Sequence, residues 1–187
     1  MSLMSVLSRY CARAQSLSRV RLSLTRLALA ACLLVPLSGA AAPKDGEKFK
    51  DWTVRCEQFK DQKQKSFTQC HIFQDLKHRT RGIRLLHMAV AYPPQRSQQA
   101  VGILTMPLGV YLPAGVKLQI DKRAPVAVVF ERCEPVGCKA GFPLEERMLR
   151  ALKKGAKANI TFHDMRRKPV TIPVSLRGFT AALRSLK

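Results

Sequence analysis

The chain has 187 residues, of which 33 are Lys or Arg and 12 are Asp or Glu, so its formal net charge at pH 7 is +21. The 147 residues that follow residue 40 suit a single domain with a sizeable core, and a second domain is not needed. The strong positive charge bears on the choice of partners and not on the fold.

The first 40 residues have the pattern of a secretory signal peptide. Five arginines and no acidic residue precede an apolar run at residues 27–40, and small residues place the expected cleavage site after Ala40. The run is shorter than the roughly 20 apolar residues that a membrane span needs, so we expect cleavage and not an anchor. The five arginines removed leave 28 basic residues against 12 acidic ones, a net charge of +16.

Four cysteines remain after the expected cleavage, because Cys11 and Cys32 lie in the signal. An even number of cysteines in an exported chain makes disulfides the default expectation. Three pairings are possible in principle. Sequence order favours Cys56–Cys70 and Cys133–Cys138.

The single domain is expected at residues 51–187, after a polar leader at residues 41–50. Its first ordered element is DWTVRC, in which Trp52 and Cys56 alternate with polar residues and predict a half-buried strand. We assign Trp52 to the core and not to ligand stacking. A polar loop follows, and the next strand, CHIFQDL, is expected to pair with the first so that Cys56 faces Cys70.

Apolar runs predict several more strands in the middle of the chain. RGIRLLHMAVAYPP and QAVGILTMPLG each predict a buried strand, and GVYLPAGVKLQID predicts a strand, a turn and a second strand. The most β-rich run, VAVVFERC, should lie in the middle of a sheet, since central strands carry continuous apolar sequence.

The last third of the chain predicts two helices. In PLEERMLRALKKG, Leu144, Met148 and Leu152 share one face, and the acidic start and basic end complement the helix dipole. Two strands joined by the basic turn MRRK follow, and GFTAALRSL predicts a C-terminal helix. Eight or nine short strands with two helices predict a mainly β fold, an antiparallel β-sandwich or a jelly-roll-like barrel.

Five segments carry a family resemblance in this order and spacing: DWTVRC, CHIFQ, MPLGVYLPAGVKLQID, FERCEPVGCKAGFPLEERMLRALKKG and PVSLRGFTAAL. With them the chain resembles the invasion-associated locus B family of exported bacterial proteins over residues 51–187. The resemblance implies a small periplasmic or secreted β-protein, in a family named for host-cell invasion. It brings no catalytic motif.

The Cys133–Cys138 segment is the main candidate for chemistry. Thiol–disulfide catalysts place a cysteine at a helix N-terminus, whereas here the predicted helix starts too late and Glu131 and Glu134 would disfavour a thiolate. A structural disulfide is therefore favoured over redox catalysis or metal binding. The four histidines show no ligand spacing. No catalytic residue, metal or cofactor is expected.

Basic residues suggest a polyanion-facing surface, formed by Lys153, Lys154, Lys157, Arg166, Arg167 and Lys168. The expected partners are lipid phosphates, glycans, or an acidic envelope or host protein, and neither specific nucleic-acid binding nor a membrane span after cleavage is expected. We thus expect a non-enzymatic binding protein, periplasmic or secreted, with or without peripheral attachment to the membrane. The alternatives are a thiol-disulfide oxidoreductase using Cys133 and Cys138, and a structural subunit of an envelope complex.

Overall fold

The structure, a computed structural model, describes residues 42–61, 63–94 and 98–187. The expected signal peptide and its cleavage site at Ala40 lie outside the described residues. Within these three ranges, no helix is long and apolar enough to cross a membrane.

Eleven strands and two α-helices occur among the described residues. The strands are β1 (Lys48–Phe49), β2 (Trp52–Lys60), β3 (Ser66–Lys77), β4 (Arg84–Ala91), β5 (Val101–Met106), β6 (Val116–Ile120), β7 (Val126–Val128), β8 (Arg132–Glu134), β9 (Gly137–Pro143), β10 (Lys157–His163) and β11 (Pro169–Ser175). The helices are α1 (Glu146–Lys154) and α2 (Phe179–Arg184).

The strands form two antiparallel sheets around one core. One sheet has seven strands in the order β1-β2-β3-β4-β5-β9-β8, and the other has four in the order β11-β10-β6-β7. Buried apolar residues of both sheets and both helices form a single cluster. The predicted mainly β sandwich with a mid-chain and a C-terminal helix is confirmed.

The sandwich follows from the alternation of side chains along its strands. In β4, Leu86, Met88 and Val90 are fully buried while the residues between them are partly exposed. Successive strand residues point to opposite faces, so one face of each strand enters the core. Each such buried side chain contributes about 1.5–3 kcal/mol to folding.

Trp52 joins the two sheets at one side of the sandwich. It is fully buried on β2, and its indole N–H donates to the carbonyl of Ser175 on β11 over 3.0 Å. Its ring meets the Phe179 ring edge-on, with 5.1 Å between centroids. The prediction that Trp52 belongs to the core is confirmed.

The run VAVVFERC does not form a central strand, so that prediction is wrong. Residues 126–128 form β7, the edge of the four-stranded sheet, and residues 132–134 form β8, the edge of the seven-stranded sheet. The chain crosses from one sheet to the other between them. Val129 lies in this crossing and is 73% exposed. The run therefore supplies two short edge strands instead of one central strand.

Three other segments differ from expectation. Lys48 and Phe49, expected in the polar leader, form β1 and pair with β2. Much of the expected polar loop at residues 57–69 continues the β2–β3 ladder, where Phe59 stacks on Phe67. The expected strand before Pro113 is reduced to one isolated bridge and a 3₁₀ turn, because proline favours the start of such a turn.

Candidate functional site

Cys133 and Cys138 form a disulfide across the β8–β9 hairpin. They lie directly opposite one another in the ladder, with Cα atoms 3.9 Å apart. Cys133 is exposed, whereas Cys138 is 3% exposed. Helix α1 begins only at Glu146, so neither sulfur lies at a helix N-terminus, where the dipole would favour a thiolate.

The carboxylates beside Cys133 are compensated by basic side chains. Glu134 accepts hydrogen bonds from Lys139 at 2.6 Å and from Arg132 at 2.7 Å. These two hydrogen bonds hold the pKa of Glu134 below its ordinary value. Glu131 also faces Arg132. The structure therefore weakens the electrostatic argument against a thiolate, and the argument from the missing helix N-terminus stands.

Cys56 and Cys70 form the second disulfide, between β2 and β3. They are directly opposite in the ladder, with a Cα–Cα distance of 4.0 Å. The backbone N–H of Cys56 also donates to the Asp45 carboxylate over 2.8 Å, which ties the segment before β1 to the hairpin. Two disulfides in one small domain indicate an oxidising compartment.

The six basic residues expected to form one surface fall into two groups. The first group lies where α1 ends and β10 begins, and the second lies in the β10–β11 turn; the members are Lys153, Lys154 and Lys157, and Arg166, Arg167 and Lys168. Since β10 has seven residues, the groups are about 20 Å apart along the strand. The structure does not bring them together into a single patch.

The turn group is held by local contacts. The carboxylate of Asp164 accepts hydrogen bonds from the backbone N–H groups of Arg166, at 2.9 Å, and Lys168, at 2.8 Å. The Arg167 guanidinium lies over the Tyr111 ring, 4.9 Å from its centroid. The backbone is thus fixed while Arg166 and Lys168 are exposed to solvent.

A polar cluster lies on the outer face of the seven-stranded sheet. Asp75 accepts hydrogen bonds at 2.8 Å from His87 and Arg84. Burial acts to raise the pKa of Asp75, but the hydrogen bond and charge of His87, with those of Arg84, outweigh it and lower the pKa. Burial also lowers the pKa of nearby His71. In the described part of the chain, no three His, Cys, Asp or Glu side chains could hold a metal together.

An apolar groove of about 600 Å³ opens between β7, the end of β9 and helix α1. Its apolar lining includes Ile120, Val126, Phe142 and Met148, and charged residues Arg123, Glu145 and Arg147 also border it. This volume lies within the range of ordinary ligand pockets. We name it the β7 groove.

The sequence profile described as "Invasion associated locus B protein" matches residues 52–187 of the chain. The chain belongs to the invasion associated locus B family. Two curated relatives, both described as invasion protein B homologs, come from two strains of Brucella abortus. Each is 32% identical over 160 residues, which covers 85% of this chain and 88% of the relative.

A solved structure of the family has the same fold. The crystal structure of invasion associated protein B from Bartonella henselae aligns with a TM-score of 0.63 and 23% sequence identity, over 75% of this chain and 92% of that chain. The names of the Brucella relatives refer to invasion and not to a reaction. The residues that match the invasion associated locus B profile include both disulfides, both basic groups and the whole β7 groove.

Reasoning from the sequence missed the β7 groove. The groove was missed because VAVVF was assigned to a central strand, in which the partly exposed Val126 would be buried. Pro125, which immediately precedes β7, was the available signal, because proline is confined to edge strands, strand starts and bulges. Strand β9, which supplies Phe142, was also not predicted, since Gly137, Gly141 and Pro143 are poor strand formers.

Proposed function

We propose that this member of the invasion associated locus B family is an exported, non-enzymatic binding protein that engages an acidic partner at the cell envelope or on a host-cell surface. The observation that carries the proposal is positive charge that few ion pairs neutralise, on a small sandwich that contains two disulfides. The invasion role named for the Brucella relatives is consistent with such surface binding.

The charge argument rests on how few basic side chains are neutralised. In the described residues, ion pairs involve only four Lys or Arg side chains, namely Arg84, Arg132, Lys139 and Arg150. The described residues hold 27 Lys or Arg. Three acids that make no such pair, Asp61, Asp121 and Asp164, instead accept hydrogen bonds from backbone N–H groups. A surface of this kind attracts polyanions and raises the rate at which they associate with the protein.

Export is the second part of the proposal. The pattern of residues 1–40 predicts a signal peptide, and the two disulfides fit an oxidising compartment. Fractionation of the native bacterium tests this part directly. We expect the mature chain, beginning near residue 41, in the periplasmic or secreted fraction; a full-length chain in the cytosol would contradict it.

The binding part is tested on a heparin column and on phosphatidylglycerol vesicles at about 0.15 M salt, where the Debye length is about 8 Å. Two double variants, Lys153→Glu with Lys154→Glu and Arg166→Glu with Lys168→Glu, reverse charge in the two groups separately. Arg167 is left in place because it packs over Tyr111. The matched control is Lys63→Glu with Lys65→Glu in the β2–β3 turn, which changes the net charge by the same amount.

We expect the wild-type protein to be retained and at least one group variant to elute at lower salt than the control. Equal shifts in all three variants would show that net charge acts without a defined surface. Absence of wild-type retention on both heparin and vesicles would remove these polyanions as partners.

A further inference from the structure

The β7 groove exposes a side chain that belongs to the inner face of the sandwich. Val126 lies directly opposite Leu118 in the β6–β7 ladder, so the two side chains point to the same face. Leu118 is 1% exposed, whereas Val126 is 43% exposed. The seven-stranded sheet and α1 therefore cover β6 and Val128, which is 5% exposed, but leave the inner face of β7 open at Val126.

Strand β7 also differs from the other sheet edges. Prolines at 169 and 173 remove two backbone N–H donors from β11. Strand β8 contains charged residues and a disulfide, and β1 has only two residues. Proteins use prolines, charges and short strands to prevent pairing at an edge. Strand β7 reads Val-Ala-Val, with neither proline nor charge. It is short, so an added strand would need side-chain contacts in the groove as well as backbone hydrogen bonds.

The charge at the groove indicates the sign of its partner. Arg123 and Arg147 border the groove, and neither forms an ion pair within the described part of the chain, whereas Glu145 is the single acid among the lining residues. A second copy of this chain is disfavoured as the occupant. Pairing β7 with β7 would bring both arginine sets and two strongly positive molecules together.

We propose that β7 and its groove bind an extended segment of an acidic protein. The segment adds to β7 as a fifth strand, places an apolar side chain on Val126, and sets a carboxylate against Arg123 or Arg147. Backbone pairing provides affinity, and alternate side chains in the groove provide specificity. The inference rests on the proposed binding of an acidic partner and names the class of partner and its site.

The test is selection of a phage-displayed random heptapeptide library on the full chain, purified from an oxidising compartment. We expect enriched peptides to carry apolar residues at alternate positions and at least one Asp or Glu. Val126→Glu should weaken the binding of a synthesised enriched peptide about tenfold or more, because it removes a buried apolar contact and adds a repelling charge. Arg123→Glu should also weaken it.

The matched control is Val136→Glu, which places the same charge on another exposed valine, 64% exposed in the β8–β9 turn. It should leave peptide affinity unchanged. In the wild-type protein, hydrogen exchange should slow on peptide binding at the β7 amides that face away from β6, since these are free to pair with an added strand. Equal affinity for Val126→Glu and wild type, or no enrichment, would overturn the proposal. If oleate displaces the peptide and the peptide itself does not slow exchange of the β7 amides, the groove is an acyl pocket. That result would also overturn the proposal.

The heparin and vesicle measurements separate this inference from the proposed function. If Val126→Glu keeps wild-type retention but no peptide binds the groove, only the strand-addition inference fails. If peptides bind as expected but the wild-type protein is not retained on heparin or vesicles, only the role of the basic groups fails.

Discussion

Replacing Gly137 with alanine should be strongly destabilising. Gly137 begins β9, is buried, and has a φ of +136°, a conformation that is essentially restricted to glycine. A Cβ atom there would overlap the backbone carbonyl oxygen of Met106 and would lie 3.0 Å from the Thr105 methyl carbon. Because the carbonyl oxygen of Met106 belongs to the backbone of β5, no side-chain rotation can relieve the overlap.

The expected loss has two parts. The backbone conformation costs a non-glycine residue about 1–3 kcal/mol. Forcing extra volume into a packed site costs about another 1–3 kcal/mol. Gly137→Ala should therefore lower the free energy of unfolding by about 2–6 kcal/mol, a large part of the 5–15 kcal/mol typical of a domain.

Urea denaturation followed by circular dichroism measures this loss, and Gly82→Ala is the matched control. Gly82 also has a positive φ, +64°, but nothing lies within 4 Å of its Cβ position. The control should lose only about 1–2 kcal/mol, the cost of a left-handed conformation without overlap. Equal losses in the two variants would refute the argument that contact with β5 makes Gly137 necessary.

Two further predictions concern the disulfides and pH. Replacing both Cys56 and Cys70 with serine should lower the free energy of unfolding by about 3 kcal/mol, and replacing both Cys133 and Cys138 should lower it by about 2 kcal/mol, because the first pair closes the longer loop. Thermal unfolding of the two double variants measures both losses. A larger loss for the Cys133–Cys138 variant would contradict this prediction. His71→Gln should reduce acid sensitivity: burial lowers the folded-state pKa of His71, so wild-type stability falls as pH drops through about 6.5, the ordinary histidine pKa. Denaturation at pH 7.5 and 5.0 should show a smaller loss for the variant, and identical losses would exclude His71 as a cause.

Local patterns predicted much of the sandwich correctly. The first strand of the β2–β3 hairpin and both helices follow from period-two or helical spacing, since one face of each element must be buried. Strands β4 and β5 follow from apolar runs bounded by turn residues, and the β10–β11 pair was also predicted. In the β2–β3 ladder, Cys56 lies opposite Cys70, which is the arrangement expected from the two strand patterns.

The sequence was least informative where tertiary context outweighs local pattern. VAVVF has the composition of a central strand, but the chain must cross between sheets at Val129, which leaves two short edges. The six basic residues are close in sequence, but β10 separates them into two groups because a strand extends about 3.3 Å per residue. The β7 groove depends on which strands cover Val126, and sequence periodicity contains no information about coverage.

The chain contains a single tryptophan, and Trp52 lies where β2, β11 and α2 meet. Its fluorescence is therefore a natural reporter of this one junction. Separation of the two sheets there would expose the indole to water and move its emission to longer wavelength, whereas occupation of the β7 groove, which Trp52 does not line, would leave it unchanged. One optical signal thus distinguishes opening of the sandwich from binding at its opposite edge.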